Sequence, residues 1–156
     1  MNINEMFLPY TQSYFYNYPY EYDYDYYNWE DSISRQPVSD GQRVRHPGRP
    51  EIYLMDKGKR RLIVDANVYN GIFKDWQRIV DVNLQSIPLG PPIVQGTILF
   101  KHQDRDMVYL YDREDGQRWV KRWITSPRAM SRYQFDWNKI RVLYHSFNPP
   151  DGSNIN

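Results

Sequence analysis

A chain of 156 residues without a cysteine has no disulfide, thiolate zinc site or cysteine nucleophile open to it. Its net charge of +1 hides an asymmetry: residues 1–34 hold Glu5, Glu21, Asp23, Asp25, Glu30 and Asp31 with no lysine or arginine, so the remainder carries all 20 basic residues against 13 acidic ones. No apolar run approaches the ~20 residues of a membrane span, and the amino terminus lacks the basic-then-apolar order of a secretory signal, so we expect no transmembrane segment and synthesis in the cytoplasm without a standard signal peptide.

The first segment, 1–38, is an acidic tyrosine-rich leader. Tyr14, Tyr16, Tyr18, Tyr20, Tyr22, Tyr24 and Tyr26 fall on every second position, which sets their rings on one face if the chain is extended. Composition alone also fits a disordered low-complexity tail. Tyrosine offers a large apolar area at small rotamer cost, and these seven residues are the expected self-association set, giving a homo-oligomer through the leader. Residues 37–49, with Pro37, Gly41, Pro47 and Gly48, read as a linker running into a first module.

The body of the chain divides into that first module at 39–94, a second at 95–150 and a tail at 151–156. At an offset of 56, Arg45, His46, Arg49, Ile52, Tyr53, Leu54 and Asp56 fall on Lys101, His102, Arg105, Val108, Tyr109, Leu110 and Asp112. Two extra residues bring Gly58 and Arg60 onto Gly116 and Arg118. Three more, assigned to Arg122, Trp123 and Ile124, bring Asp65, Asp75, Trp76 and Ile79 onto Ser126, Asp136, Trp137 and Ile140. Matching flanks around loop insertions point to a duplicated unit. About 55 residues bury little core alone, so the two units are expected to pack together.

Within the first unit, 51–64 reads as a β-hairpin about Lys57-Gly58, and in the second 107–120 reads as a hairpin about Asp115-Gly116. Asp65 is a helix cap for 66–73, and Ser126 followed by Pro127 is a second helix start. Short apolar segments follow Trp76 and Trp137, and Ile98 to Phe100 is a buried strand. Residues 84–92 form the connector. The expected fold class is α+β, predominantly antiparallel β, with two repeats of hairpin plus short helix in one composite domain.

The run Ile52-Tyr53-Leu54-Met55-Asp56-Lys57-Gly58-Lys59-Arg60-Arg61, an aromatic-tryptophan position, and then Ile87-Pro88-x-Gly90 resemble a tandem repeat of about 50 residues from bacterial surface and secreted proteins. The resemblance covers 40–92 well and 96–145 loosely, since Gly116-Gln117-Arg118-Trp119 departs from the basic pair. It implies a wall-associated or ligand-binding module.

The histidines are His46, His102 and His145, and they sit in no nucleophile elbow, phosphate loop or two-histidine helix signature, so no catalytic residues, metal site or cofactor are expected. Trp76 and Trp137 read as residues that close a small core. Basic and aromatic residues alternate along the hairpins, and Arg45, Arg49, Tyr53, Arg60, Arg61, Lys101, Arg105, Tyr109, Arg118 and Trp119 form the expected ligand-binding strip. Guanidinium groups pair with carboxylates and phosphates, and rings stack on sugars or bases. A solvated hairpin face is the plain alternative. These features lead us to expect a non-enzymatic structural or adhesive protein of a bacterial surface or spore coat, its body binding a polyanionic or glycan surface polymer. The alternatives are a carbohydrate-binding, lectin-like module and a single-stranded nucleic-acid binder.

Overall fold

The computed structural model describes residues 37–156; the leader and its tyrosines lie outside the described residues. Eight short strands and two helices run in order: β1 (Arg43–Arg45), β2 (Ile52–Asp56), β3 (Lys59–Leu62), α1 (Ala66–Ile72), β4 (Ile79–Asp81), β5 (Ile98–His102), β6 (Val108–Asp112), β7 (Val120–Ile124), α2 (Pro127–Arg132) and β8 (Arg141–Leu143). The fold is mostly β, in two four-stranded mixed sheets ordered β3-β2-β1-β4 and β7-β6-β5-β8. The predominantly antiparallel expectation needs one amendment: a pairing in each sheet, β1 with β4 and β5 with β8, is parallel. Each parallel pair is joined through a helix, the crossover that such pairing requires.

Lys57 and Gly58 both have positive φ, 54° and 69°, the geometry of the tight turn whose twist suits a two-residue hairpin. The second hairpin differs from the expected one. Asp112 pairs with Val120 and Leu110 with Arg122, so its turn is seven residues, 113–119, against two, 57–58, in the first. Arg122, Trp123 and Ile124, expected as an insertion, are the body of β7. The second turn is therefore five residues longer than the first, in a place where extra chain breaks no ladder hydrogen bond.

Both helices start as their caps dictate. Asp65 accepts from the Val68 N–H at 2.8 Å and Ser126 from the Ala129 N–H at 3.1 Å, satisfying one orphan donor in each first turn. Beyond α1 and α2 the chain runs 72–74 beside 134–136: Lys74 N–H donates to Gln134 O and Asp136 N–H to Ile72 O.

Of two segments expected as linker and tail, the first holds a strand and the second is tied to the edge of one sheet. Arg43–Arg45, inside the expected linker, is β1 and pairs with both β2 and β4. A buried arginine is tolerated there because Arg43 donates to the Tyr69 hydroxyl and to the carbonyls of Asp75 and Gln77. Residues 151–156, expected as a tail, run beside β7: Gly152 N–H donates to Lys121 O at 2.9 Å and Ile155 N–H to Trp123 O at 2.8 Å. Ile155 is buried. In the same manner Gly90 and Ile93 donate to Arg60 and Leu62 of β3.

One apolar core draws on both sheets and both helices, with Ile52, Leu54, Tyr69 and Phe73 meeting Leu99, Leu110, Met130 and Phe135. A smaller cluster of Val44, Met55, Val82 and Leu84 covers the far face of the first sheet. Trp76 packs on the core and stacks on Tyr69 at 3.9 Å between centroids. Trp137 is 50% exposed and closes no core, because Asp136 caps a 3-10 turn at 137–139 that holds it at the surface.

Candidate functional site

The ten residues of the expected strip are not brought to one face. Arg45 Nε pairs with Asp81 at 2.6 Å, Lys101 with Asp106 at 3.9 Å, and Arg118 with Asp115 at 3.3 Å. The Arg60 guanidinium lies over the Tyr53 ring at 5.2 Å. On the second sheet the cation over Tyr109 is Lys121, at 5.7 Å, and Tyr109 itself is buried. Arg49 and Arg105 are exposed in the loops after β1 and β5. Trp119 stacks on Tyr111 at 4.6 Å.

Arg61 corrects the expectation most sharply. Its side chain is 3% exposed, out of reach of an external polymer. With Asp56, Asp112 and Arg122 it forms a buried tetrad between the sheets. Arg61 donates to Asp112 through Nη1 at 2.6 Å and Nη2 at 2.8 Å, while Arg122 donates to Asp56 at 2.7 and 3.0 Å. Cross-bonds from Arg61 to Asp56 at 2.9 Å and from Arg122 to Asp112 at 3.2 Å close the ring. Both Nε groups are used as well, on Pro91 O and Ser153 O. Burial pushes the Asp56 pKa up, but the hydrogen bonds and charges of Arg122 and Arg61 outweigh it and hold the carboxyl below its ordinary value. Every lone pair and proton of such a set must be matched, because each buried ion costs several kcal/mol to desolvate. The tetrad is a clasp between the two sheets.

Glu114, in the long turn, extends this clasp. It accepts from Lys57 Nζ at 2.7 Å and from the Ser153 N–H at 2.9 Å. Burial pushes its pKa up, and the hydrogen bonds from Lys57 and Ser153, with the charge of Arg122, bring it down to about 2.

Among the described residues, a groove with an aromatic lining was not anticipated from the sequence. A groove of about 550 Å³ opens between α1, the turn before β5, and the chain at and after β8. Asn67 and Gly71 of α1, Tyr111 of β6, and Arg141, Tyr144 and Phe147 are among the residues that line it. Its aromatic side is continuous: Phe147 meets Tyr111 at 5.0 Å, and Tyr111 carries Trp119 on its other contact. Gly96 shapes the entrance. Its φ is +94°, and a Cβ there would stand 3.0 Å from the Trp119 ring, so only glycine suits the turn.

The polar groups of the groove are few and of defined kinds. Arg141 is exposed and has no carboxylate partner among the described residues. Gln95 donates to Asp65 at 3.0 Å. Thr97 is 5% exposed, and its hydroxyl has no hydrogen-bond partner among the described residues, an omission that costs roughly 1–3 kcal/mol in a folded protein. Tyr144 is 70% exposed. The sequence signal for this site is faint: Tyr144 and Phe147 stand in a loop-like stretch, and Arg141 is one arginine among many.

The histidines have structural surroundings. His46 Nδ1 lies 2.9 Å from Pro47 O and His102 Nε2 lies 2.9 Å from Phe147 O, the latter fixing the groove's aromatic wall. His145 pairs with Asp104. Among the described residues no group of three or more metal-ligating side chains gathers, and no helix is long and apolar enough to cross a membrane. Comparison of the chain with protein-family models, with curated proteins and with solved structures finds no match.

Proposed function

We propose that this is a non-enzymatic structural or adhesive protein whose body engages a glycan surface polymer, with the tyrosine-rich leader mediating association between copies. The groove beside β8 carries the reading. Apolar aromatic faces with a few amide, hydroxyl and guanidinium groups are the lining that sugars require: C–H faces stack on rings while hydroxyls find hydrogen-bond partners. In this reading the two halves are tandem copies of one module, as the resemblance to bacterial surface repeats suggests. Support comes from the common strand order and from matched bonds such as Gly90 to Arg60 and Gly152 to Lys121. A bacterial surface or spore coat is the setting that fits.

The same charges weigh against single-stranded nucleic acid. Arg45, Arg61, Lys101 and Arg118 are each engaged by carboxylates of the chain, so no continuous basic track remains along the hairpins. The full chain should be titrated with cell-wall polysaccharide and with single-stranded DNA at two salt concentrations. We expect polysaccharide binding that changes little between them. A protein that neutralises several phosphates would instead lose affinity steeply, with a log-log slope of about −0.7 per contact on a single strand. Binding to DNA alone, with that slope, would replace the glycan reading by the nucleic-acid one.

A further inference from the structure

Resting on the glycan reading, we propose that the groove selects a sugar unit bearing a carboxylate, and that each chain holds one such site although both halves carry the framework for it. The first part follows from the charge of the lining. Arg141 is the sole lysine or arginine among the groove-lining residues. One guanidinium offers a planar two-pronged donor that matches one carboxylate, whereas a phosphodiester chain is tracked by a succession of cations. Tyr111, Tyr144 and Phe147 line the same groove, so a sugar ring whose carboxylate meets Arg141 has aromatic faces to stack on. The amide of Asn67 and the hydroxyls of Ser146 and Tyr144 complete a set suited to ring hydroxyls.

The second part follows from comparing the halves position by position. The helices start at 66 and 127 and the second strands at 52 and 108, so Gly71 corresponds to Arg132 and Tyr111 to Met55. The parallel pairs match Val44 with Val80 and Phe100 with Arg141, so Arg141 corresponds to Val80, and Tyr144 to Asn83. At the offset of 56 Gly41 falls on Thr97, next to Gly96, and both glycines have positive φ, +91° and +94°. Where Gly71 leaves open space, with nothing within 4 Å of a built Cβ, Arg132 sits against Gly41: its Cγ would lie 2.8 Å from a Cβ there. Arg132 also donates to Asn156 O at 3.2 Å. The corresponding place beside the first sheet is therefore filled by Arg132 of α2, from the second half, and lacks the rings and the free guanidinium.

Calorimetric titration of the full chain with tetragalacturonate and with its methyl ester tests both parts. We expect one site per chain, with the acid bound about tenfold more tightly than the ester, the usual order for a hydrogen bond to a charged group. Arg141→Gln should erase that difference. Gly71→Arg should abolish binding of both, while Gly71→Ala retains it; Gly71 has no positive φ, so side chains are tolerated there. If Gly71→Arg fails to fold, Tyr144→Ala at an exposed position reports on the same groove. Equal affinity for acid and ester, both lost with Gly71→Arg, overturns the carboxylate assignment and leaves the glycan reading standing. Two sites per chain overturns the single-site inference. Binding unaffected by Gly71→Arg, or no binding of either probe, overturns the groove itself.

Discussion

Replacing Asp112 by asparagine should destabilise the protein more than any surface change of equal size. Asp112 accepts from Arg61 at 2.6 and 2.8 Å and from Arg122 at 3.2 Å, and the side chains of the two arginines are 3% and 1% exposed. Asparagine keeps the shape but removes the charge and turns an N–H₂ toward a guanidinium. Two buried cations then share Asp56, and an uncompensated buried charge costs about 3–5 kcal/mol. Against the roughly 5–15 kcal/mol that holds a domain together, that is about a fifth of the total or more. Urea unfolding followed by tryptophan fluorescence, with a slope of about 2 kcal/mol/M, should show the midpoint falling by about 2 M. The exposed pair Arg45–Asp81 provides the contrast: Asp81→Asn should cost at most about 1 kcal/mol. Converting all four tetrad residues to leucine or methionine should cost less than D112N alone, since an apolar set leaves no charge unmatched. A D112N midpoint within about 0.5 M of the wild type, about 1 kcal/mol at that slope, would refute the clasp.

Acid unfolding gives a second check. Glu114 has its pKa lowered from 4.5 to about 2, so its contribution is full above the unfolded value and is lost as pH falls from 4.5 toward 2; Glu114→Gln should flatten stability across that window, as read from urea midpoints at successive pH values. Ile155→Ala should cost about 2–5 kcal/mol, the usual loss for a buried isoleucine, and an unchanged thermal midpoint would return 151–156 to the status of a tail. Gly41→Ala should destabilise by more than about 1 kcal/mol through its positive φ and the Arg132 carbonyl 2.7 Å from the new Cβ, measured in the same urea experiment. A chain of residues 37–94 alone should either unfold or form dimers in which Arg61 of one copy meets Asp56 of the other, which sedimentation would detect.

Much of the local structure is legible in the sequence, because local chemistry decides it. Lys57-Gly58 between Ile52–Asp56 and Lys59–Leu62 specifies a hairpin, and Asp65 and Ser126 specify helix starts, each with a bond to the third residue on. The strand β1 escapes because Arg43-Val44-Arg45 has the composition of a linker. What makes it a strand is distant: Tyr69, Asp75 and Gln77 supply the acceptors that let Arg43 be buried. The groove escapes for the same reason, since α1, the turn at 95–97 and the segment at 141–147 meet only in three dimensions.

The tetrad is a more instructive loss, because its signal is present in the sequence. Asp56 and Asp112 already match at an offset of 56, and Arg61 and Arg122 match at 61. Dividing the added residues between the turn and the strand puts Arg60 on Arg118 at an offset of 58, which hides the second match. The two offsets differ by three, an odd number, and in a strand an odd slip moves every side chain to the other face. Arg61 is then matched with Trp119 and assigned to an outward strip, although it faces Asp112 fifty-one residues along the chain. The choice between offsets rests on where insertions are cheap. Five residues added between Asp112 and Val120 cost only loop closure, growing as the logarithm of length. Three added inside β7 would shift its ladder with β6 and set Arg122 against solvent, leaving Asp56 and Asp112 buried without their cations. Strand register and buried charge thus constrain one another: Arg61 stands opposite Leu54 and Arg122 opposite Leu110, on the strand faces that Asp56 and Asp112 share.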